Sequence, residues 1–600
     1  MKDDFLMNLN HKQRQAVELT EGPSIILAGA GSGKTRVLIY KVLNLIQNED
    51  VDPKRIMMVT FTNKAAAEMK KRVRENLGFI GTFHSFCVRV LRNDGELIGL
   101  KDNFVIYDDN DQKDLLKKLL EDDLSLQKHS INFYLNQISS AKNQLLSPEQ
   151  YLRLSGSYSK NETVEVYRRY QAKLKKNNAV DFDDLIYLTV KLFSKKTVVL
   201  NKYQSRYQYY LVDEFQDTNH SQYMLMKYLA QKSRNITVVG DFSQSIYSWR
   251  GAELQNLERF KEDFPGTITF SLEENYRSTQ NILDFAYDVI SKNQSHPILK
   301  LFTSKSPGDN VEIKELENEQ YEALFVADEA VKMITSNGSD LSSVAVLYRI
   351  NAQSRVIEEA FLHMGIPYVL IGGTRFYERK EIKDVLSYLR LIVNPNDEIA
   401  NSRVMKIGKQ RFSKFKALYV ELKSELSDLT TAVIIEKILN ATNYLDLYKS
   451  DSEEDIARLE NIKELRSVAI NFPDLNGFLE QIALVESEYS VSEKNFQQQE
   501  GKKGISMMTL HQAKGLEFPY VFIVGVEDGI LPHSRSMDDT MSLEEERRLF
   551  YVGITRAMKK LFITHTKRRF FFGRRGTSQI SRFLISNDDE NPKYENQDYF

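Results

Sequence analysis

The stretch Ala28-Gly29-Ala30-Gly31-Ser32-Gly33-Lys34-Thr35 decides the fold class of this chain of 600 residues. It follows the apolar run Ser24–Leu27 and precedes the helix-like segment VLIYKVLNLI, as a phosphate-binding turn does between a strand and a helix. In such a turn backbone N–H groups close around phosphate oxygens, Lys34 reaches the β- and γ-phosphates, and the Thr35 hydroxyl ligates Mg²⁺. Ala28 stands where the general G-x-x-x-x-G-K-[ST] pattern has glycine. A glycine-rich turn without a ligand is the alternative, and the flanking strand and helix argue against it.

The rest of the chain repeats this rhythm of short apolar runs separated by helix-like stretches. The runs are Ile56–Val59 before TFTNKAA, Tyr209–Val212 before DEFQDTN, Ile236–Val239 before GDFSQ, and then Val344–Leu347, Ile505–Met508, Val521–Val524 and Leu561–Ile563. Alternating strands and helices indicate parallel sheets, in which ligands bind beyond the carboxyl ends of the strands. The pattern therefore predicts an α/β fold with two parallel-sheet cores.

Two polar, helix-like stretches interrupt the rhythm, at residues 104–180 and 374–504. In the second, an apolar stripe runs along one predicted helix and consists of Ile456, Leu459, Ile462, Leu465 and Val468. We interpret each stretch as a mainly helical insertion into one core. The expected first core is then 1–103 and 181–275, the second is 276–373 and 505–586, and an acidic tail at 587–600 is expected to be disordered.

Composition excludes several classes of protein. The single cysteine, Cys87, excludes an internal disulfide framework and a zinc site built from cysteines, and it fits a reducing compartment. No apolar run approaches the ~20 residues needed to span a bilayer, and the N-terminus has no apolar signal segment. We therefore expect a cytoplasmic protein with no membrane partner.

The net charge of −2 argues against a protein coated in nucleic acid, although a narrow basic track is compatible with it. One basic cluster is Lys567-Arg568-Arg569 with Arg574-Arg575. It fits such a track and a solvated turn equally well.

Charged residues suited to phosphoryl transfer occur at three further places. Asp213-Glu214 follows an apolar run, so Asp213 can hold Mg²⁺ through water and Glu214 can orient and deprotonate the attacking water. A carboxylate pair can instead cap a helix, which is the weaker interpretation with a phosphate loop upstream. Arg277 in ENYRST and Arg556 in YVGITRA are candidates for the cations that stabilise charge on the γ-phosphate. Taken alone, either arginine is more often a surface residue.

Aromatic residues in polar loops indicate a strand of nucleic acid as a second ligand. Tyr247, Trp249 and Arg250 lie within four residues of each other after a predicted strand, which suits base stacking combined with phosphate contact. A tryptophan is more often a core residue, but the neighbours of this one are polar.

Two other loops, TFTNK at 60–64 and TFHSF at 82–86, mix hydroxyl and aromatic side chains that can contact phosphates. Neither His84 nor His511 lies beside a nucleophile elbow, so a role as the base of a covalent catalyst is not expected.

Taken together and in this order, these segments resemble the superfamily 1A DNA helicases of the UvrD/Rep/PcrA type, from Leu9 to about Leu584. The resemblance implies two RecA-like cores, ATP as substrate and Mg²⁺ as cofactor, and AGAGSGKT is that family's form of the phosphate loop. It assigns ATP binding to Gln13 at the adenine edge, Arg36 and Tyr276 beside the adenine, Glu517 at the ribose, and the loop residues Ala28, Gly29, Ala30, Gly31, Ser32, Gly33, Lys34 and Thr35. It assigns catalysis to Lys34, Asp213, Glu214, the γ-phosphate sensor Gln244, Arg277 and Arg556, and Mg²⁺ binding to Thr35 and Asp213.

The same resemblance implies binding of single-stranded DNA and of junctions between single strand and duplex. It assigns strand contacts to Phe61, Asn63, His84, Phe182, Tyr247, Trp249, Arg250, Asn351 and His511. ATP is expected between the two cores, whose closure completes the site and whose reopening after hydrolysis moves the strand 3′→5′.

The chain also departs from that family's pattern. The second insertion is short, and MKIGKQR at 405–411 stands where a duplex-contacting R-G-I-G segment is expected. Two hypotheses therefore stay open. One is an ATP-dependent DNA helicase of DNA repair or replication, and the other is a single-strand translocase with weak unwinding that acts with a separate nuclease, for instance in defence against phage. A scaffold with a decayed site is disfavoured because the catalytic candidates are all present, and a small-molecule kinase is excluded by length.

Overall fold

The computed structural model describes residues 5–123, 129–155, 161–338, 340–423, 425–448, 452–483, 485, 504–571 and 574–585. The chain forms two compact units, the first comprising Met1–Arg277 with Ile290–Lys305 and the second Ser278–Val289 with Ser306–Phe600. The tail predicted at 587–600 lies outside the described residues. Across the described part of the chain, no helix combines the length and apolar character needed to cross a membrane.

Six parallel strands form the central sheet of the first unit: β1 (Ser24–Ala28), β2 (Ile56–Thr60), β3 (Phe79–Thr82), β6 (Tyr209–Val212), β7 (Asn235–Gly240) and β8 (Ile268–Leu272). Their order in the sheet is β3-β2-β6-β7-β1-β8. Apolar side chains are buried on both faces, as expected of a parallel sheet covered by helices. Because all six strands are parallel, the loops after β1, β2, β6 and β7 meet at one edge.

The helices of this unit outside the insertion are α1 (His11–Glu18), α2 (Lys34–Gln47), α3 (Asn63–Val73), α4 (Phe83–Asp94), α9 (Phe182–Lys195), α10 (Thr197–Arg206), α11 (His220–Ala230) and α12 (Asn256–Asp263). Five of them begin at a side chain that accepts a backbone N–H of the first turn, namely Asn10, Thr62, Thr82, Asp181 and Asn219. Several sequence motifs therefore lie at the starts of helices.

The stretch interpreted as the first insertion contains α5 (Asp109–Glu121), α6 (Ile131–Asn143), α7 (Pro148–Ser155) and α8 (Asn161–Lys176) between the short paired strands β4 (Val105–Ile106) and β5 (Ala179–Val180). It has an apolar core of its own, which includes Leu116, Tyr134, Tyr167 and Tyr170. This core packs α6 against α5 and α8 within the insertion.

The second unit is built around another sheet of six parallel strands: β9 (Glu312–Leu316), β10 (Val344–Tyr348), β11 (Tyr368–Leu370), β12 (Ile505–Thr509), β13 (Phe518–Ile523) and β14 (Ala557–Thr566). Their order is β11-β12-β10-β13-β14-β9. Around them lie α13 (Gln280–Ile290), α14 (Glu319–Asn337), α15 (Ser354–His363), α21 (Thr540–Ile554) and the hairpin β15 (Arg568–Phe571) and β16 (Arg574–Thr577). The prediction of two parallel-sheet cores is confirmed.

The stretch interpreted as the second insertion contains α16 (Lys380–Val393), α17 (Glu398–Ile407), α18 (Lys409–Leu422), α19 (Thr431–Thr442) and α20 (Glu453–Asn471), with a further helical segment at 475–483. Along the predicted stripe of α20, Ile462, Leu465 and Val468 are buried and Ile456 is half-buried.

One segment lies in a different unit from the one expected. Residues 290–305 were placed in the second core from the sequence, but they pack in the first unit. The Asn275 N–H donates to the Phe302 carbonyl at 2.7 Å, and the Phe302 N–H donates to the Glu273 carbonyl at 3.0 Å. The Leu301 side chain occupies the space that a Cβ on Gly29 would need. The segment is therefore held against the end of β8 and the phosphate loop.

Candidate nucleotide-binding and strand-binding site

The phosphate loop joins β1 to α2, and its shape requires glycine at position 31. Gly31 has a φ of +66°, and a Cβ there would lie 2.7 Å from the Asn275 amide nitrogen and 2.8 Å from Arg277 Cβ. The Asn275 amide donates to the Ala30 carbonyl at 2.6 Å, and the Tyr276 N–H donates to the Gly31 carbonyl at 3.0 Å. The first predicted phosphate-binding arginine is therefore held directly against the loop.

Two oxygen-bearing side chains suited to Mg²⁺ meet beside the loop. The Thr35 hydroxyl lies 3.5 Å from the Asp213 carboxylate. Mg²⁺ takes oxygen ligands, typically one or two from protein carboxylates and the rest from water and substrate phosphates. The described residues contain no group of three or more His, Cys, Asp and Glu side chains able to hold a metal ion. The pair therefore fits Mg²⁺ bound together with a nucleotide phosphate.

The environment of Asp213 also suits a cation. Burial, followed by the neighbouring Glu214 carboxylate, raises the pKa of Asp213 to about 7, and Lys34 opposes this shift. A cation bound beside the carboxylate favours its charged form.

Glu214 has a left-handed backbone conformation with a φ of +51°, which is uncommon for a residue with a side chain. The Gln216 amide nitrogen donates to Glu214 Oε2 at 2.6 Å, and its amide oxygen accepts the Asp241 N–H at 3.1 Å. Glu214 makes no side-chain capping bond to the 3₁₀ turn Phe215–Asp217, so the helix-cap interpretation does not apply to it. Strained residues held by such contacts recur at active sites. The contacts fix this carboxylate beside Asp213, as the base for an attacking water requires.

Asp241 connects Lys34 to Gln244. Lys34 Nζ lies 3.8 Å from Asp241 Oδ2, and the Gln244 amide donates to the same oxygen at 2.7 Å. The residue after β7 reaches the phosphate loop because β7 is the neighbour of β1. One carboxylate oxygen of Asp241 therefore contacts both the lysine of the phosphate loop and Gln244.

The residues predicted at the adenine cluster around the start of α1. Gln13 is buried, and its amide donates to the Ser32 carbonyl of the phosphate loop at 2.9 Å. The Tyr276 hydroxyl accepts the Asn10 amide at 2.8 Å, and 41% of the tyrosine surface is exposed. Arg36 donates to the carbonyl of residue 8 at 2.7 Å. This cluster adjoins the phosphate loop, as an adenine subsite must.

Trp249 is a surface residue, which excludes the core alternative. It lies in the 3₁₀ turn Ser248–Arg250, and 50% of its surface is exposed. The Tyr247 ring lies 6.3 Å away at an interplanar angle of 68°, and the Arg250 guanidinium lies 4.6 Å from the indole centroid. The three side chains offer an aromatic and cationic surface of the kind on which bases stack.

A second aromatic group joins His84 to Phe182, the first residue of α9. Their rings lie 5.8 Å apart edge-on, and Phe182 is 50% exposed. Burial lowers the pKa of His84. Phe61 packs on Phe83 with ring centroids 5.7 Å apart, while Asn63 is exposed at the start of α3. The structure therefore brings His84 and Phe182 together and leaves Phe61 half-buried.

Arg556 is buried within the second unit, with 1% of its surface exposed. Its Nε donates to the Val552 carbonyl at 2.9 Å, its Nη1 to the Leu516 carbonyl at 3.0 Å, and its Nη2 to the Thr555 hydroxyl at 3.0 Å. A phosphate would have to replace some of these bonds.

The candidates of the second unit divide between the two edges of its sheet. Glu517 precedes β13 and Arg556 precedes β14, and these two strands are neighbours. Asn351 follows β10 and His511 follows β12, which are also neighbours. The nucleotide candidates therefore lie at the amino edge and the strand candidates at the carboxyl edge.

Two arginines of the predicted strand-binding segment 348–355 are ion-paired within the second unit. Arg349 forms a two-point pair with Glu546, with Nη2 2.7 Å and Nε 3.0 Å from its carboxylate oxygens. Arg355 pairs with Glu464 and Glu359, both at 2.8 Å. Both guanidinium groups are therefore largely buried and neutralised by carboxylates of the second unit.

The first three residues of the basic cluster at 567–575 have acidic partners. Lys567 lies 3.7 Å from Glu317, which also pairs with Arg568. Arg569 is buried and lies 2.6 Å from Glu322 and 2.8 Å from Glu527. Burial alone would raise the pKa of Glu527, but Arg569 outweighs it and lowers that pKa. These contacts exclude a solvated turn at Arg569, whereas the side chains of Lys567 and Arg568 stay more than half exposed.

Two polar residues at the phosphate edge make contacts that no sequence motif indicated. Asp241 joins Lys34 to Gln244, and Asn275 holds the phosphate loop. The Thr60 hydroxyl at the end of β2 is buried and makes no hydrogen bond to the described residues. Asp241 had a usable sequence signal, because it lies two residues after the predicted strand Ile236–Val239.

The two units correspond to two matched family models. The model described as UvrD/REP helicase N-terminal domain matches residues 9–265. The model described as UvrD-like helicase C-terminal domain matches residues 270–438 and 409–568. Together the matches include the phosphate loop, Trp249 and Arg556.

Curated relatives are similar over nearly the whole chain. The ATP-dependent DNA helicase PcrA of Bacillus subtilis is 41% identical over 643 aligned residues, which covers 98% of this chain and 87% of the relative. PcrA of Staphylococcus epidermidis is 41% identical, with 97% and 86% covered, and PcrA of Leuconostoc citreum is 40% identical, with 96% and 84% covered.

Proposed function

This chain belongs to the UvrD-like helicase family, and on that premise we propose that it is an ATP-dependent DNA helicase of DNA repair or replication that moves 3′→5′ along single-stranded DNA. One observation in the first unit carries the proposal. Lys34, Asp213 and Glu214 lie at the carboxyl edge of the first sheet. Gln244 lies at the same edge, and the loop that follows it carries the exposed Trp249. The phosphate site and the stacking residues are thus joined by one short loop, which runs from Gln244 to Trp249.

ATP is the substrate, and each residue around the phosphate loop has a separate role in its hydrolysis. Lys34 binds the β- and γ-phosphates together with the backbone N–H groups of the loop. Glu214, held by Gln216, accepts a proton from the attacking water. Thr35 and Asp213 would hold Mg²⁺, which would supply positive charge against the phosphate oxygens. Binding of phosphate to Lys34 ends its pairing with Asp241, which changes the bond that Gln244 makes.

Arg277 and Arg556 stabilise the negative charge that develops on the γ-phosphate. The role of Arg277 is supported by its position against Gly31 of the phosphate loop. Within the second unit, the Ser278 hydroxyl donates to the Ala557 carbonyl at 2.6 Å. The residue that follows Arg277 is therefore bonded to the residue that follows Arg556.

The strand is held by stacking rather than by base-specific contacts. In the first unit the surfaces are Trp249 with its two neighbours and the pair His84 and Phe182. In the second unit we propose Asn351 and His511, which follow neighbouring strands. Stacking tolerates any sequence because every base has a π-face, and a motor needs that tolerance.

The test is steady-state ATPase activity with and without oligo(dT). We expect oligo(dT) to stimulate hydrolysis, and to do so more than an RNA oligonucleotide of equal length. Lys34→Ala should abolish hydrolysis, while Lys54→Ala, which changes an exposed lysine, should match the wild type. Glu214→Gln should keep ATP affinity and lose about 10²–10⁴-fold in kcat, because it removes only the base.

Strand-stimulated hydrolysis that survives Lys34→Ala would refute the assignment of the phosphate site. Equal stimulation by DNA and RNA would refute the assignment of DNA as the strand.

A further inference from the structure

The last turn of α6, residues 139–144 of the first insertion, touches three elements of the first unit that the proposed function uses. These are the start of α9 with Phe182, the loop of Trp249, and the end of the DEFQDTN motif that begins at Asp213. Each contact includes a polar side chain of this turn. Because hydrogen bonds depend on angle as well as distance, such contacts fix the orientation of the bonded groups.

Lys142 holds the start of α9. It is fully buried, and its Nζ lies 2.6 Å from Asp181 and 2.8 Å from Asp184. The Tyr170 hydroxyl also donates to Asp181 at 3.0 Å. A buried ion cluster contributes little net stability, because desolvation opposes the attraction, but it holds its members in one arrangement. The helix that presents Phe182 is therefore held by the insertion.

Asn143 holds the end of the catalytic motif and the strand loop together. Its side-chain oxygen accepts the Asn219 amide at 2.8 Å. Gly251 has a φ of +84°, and a Cβ there would lie 3.9 Å from Asn143 and 3.7 Å from Asn219. The backbone that follows Trp249 thus packs on the pair of asparagines.

Gln144 contacts the loop of Trp249 at Glu253, two residues after Gly251. Its amide donates to the Glu253 carboxylate, and the Glu253 N–H donates to the Thr218 carbonyl at 3.0 Å. Asn256 also donates to that carbonyl, at 2.9 Å. The loop is therefore bonded both to the motif and to the insertion.

We propose that Lys142, Asn143 and Gln144 are positioning residues that couple the strand to the nucleotide. When a base stacks on Trp249 or Phe182, the displacement is transmitted through this turn to Asn219 and so to the motif that contains Asp213. The coupling acts in both directions, since linkage requires that ATP change strand affinity by the same factor as the strand changes ATP affinity. This inference rests on the proposed function.

The test uses the full chain and the fluorescence of Trp249, which is its single tryptophan. Oligo(dT) is titrated with and without a non-hydrolysable ATP analogue, and the ratio of the two Kd values measures the coupling. Asn143→Ala removes the acceptor of Asn219. Gln144→Ala changes an exposed side chain and spares the core, and Asn136→Ala changes an exposed residue of the same helix as a control.

We expect Asn143→Ala to move the Kd ratio at least about fivefold towards one, with ATPase activity in the absence of DNA within about twofold of wild type. Gln144→Ala should move it about threefold, and Asn136→Ala should leave it unchanged. A wild-type ratio in Asn143→Ala overturns the inference, and if that variant does not fold, a wild-type ratio in Gln144→Ala does so. A wild-type protein whose ATPase activity ignores DNA refutes the proposed function instead.

Discussion

Replacing Trp249 with alanine should weaken strand binding strongly while costing little stability. Half of the side chain is exposed, and its ring contacts are Tyr247 and Arg250. Burial of about 100 Å² of apolar surface contributes at most about 2.5 kcal/mol, and the compact denatured state reduces that figure. We therefore expect a loss of about 1–2 kcal/mol, against about 3–5 kcal/mol for a core tryptophan.

The loss of binding affinity for the strand should be larger than this loss of stability suggests. One stacked base contributes about 1–3 kcal/mol to binding, or about 5- to 150-fold in Kd. Anisotropy of a labelled oligo(dT) gives the Kd, and urea unfolding followed by circular dichroism gives the stability. Tyr321→Ala, an equally exposed aromatic of α14, should leave strand affinity unchanged. A stability loss above about 3 kcal/mol with an unchanged Kd would show that Trp249 is a packing residue.

The other predictions concern an arginine, an aspartate and a buried ion cluster. Arg556→Lys keeps the charge but loses the planar group that makes three bonds, so strand-stimulated kcat in an ATPase assay should fall at least about 10³-fold, and a fall under about tenfold would contradict this. Burial and neighbouring carboxylates raise the pKa of Asp183 to about 7, so lowering the pH from 8 to 6 protonates it and removes negative charge from the residue that follows Phe182. The Kd of the wild type for oligo(dT) should then decrease more over that range than the Kd of Asp183→Asn, and parallel pH profiles would count against this role. Arg569→Ala leaves Glu322 and Glu527 buried without their cation and should lower the free energy of unfolding in urea by about 3–5 kcal/mol, whereas a loss under about 1 kcal/mol would show that the two carboxylates do not stay buried and charged without Arg569.

Much of the nucleotide site could be predicted because its determinants are local. A buried strand followed at once by polar residues places those residues at the carboxyl edge of a parallel sheet. This rule alone brings Lys34, Asp213 and Gln244 to one edge, and the structure has them there. Trp249 could also be read as exposed, because its neighbours along the chain are polar.

The remaining features depend on partners that are distant in the sequence. Strand β9 lies at the edge of its sheet and three of its five residues are charged, so Glu312–Leu316 contains no apolar run. Lys142 meets Asp181 only through packing of the insertion, and nothing near either residue predicts the pair. The sequence pattern predicts Arg556 as a phosphate ligand. It does not indicate that Arg556 is buried or that it donates to the Leu516 and Val552 carbonyls.

The most direct test of the central claim, that ATP hydrolysis drives this chain in one direction along single-stranded DNA, is strand displacement on matched duplexes with a 3′ or a 5′ single-stranded tail. We expect ATP-dependent displacement of the 3′-tailed duplex, little of the 5′-tailed one, and none by Lys34→Ala. ATPase stimulation without displacement of either duplex would select the single-strand translocase. Displacement that proceeds without ATP, or only from the 5′ tail, would refute ATP-driven movement in the 3′→5′ direction.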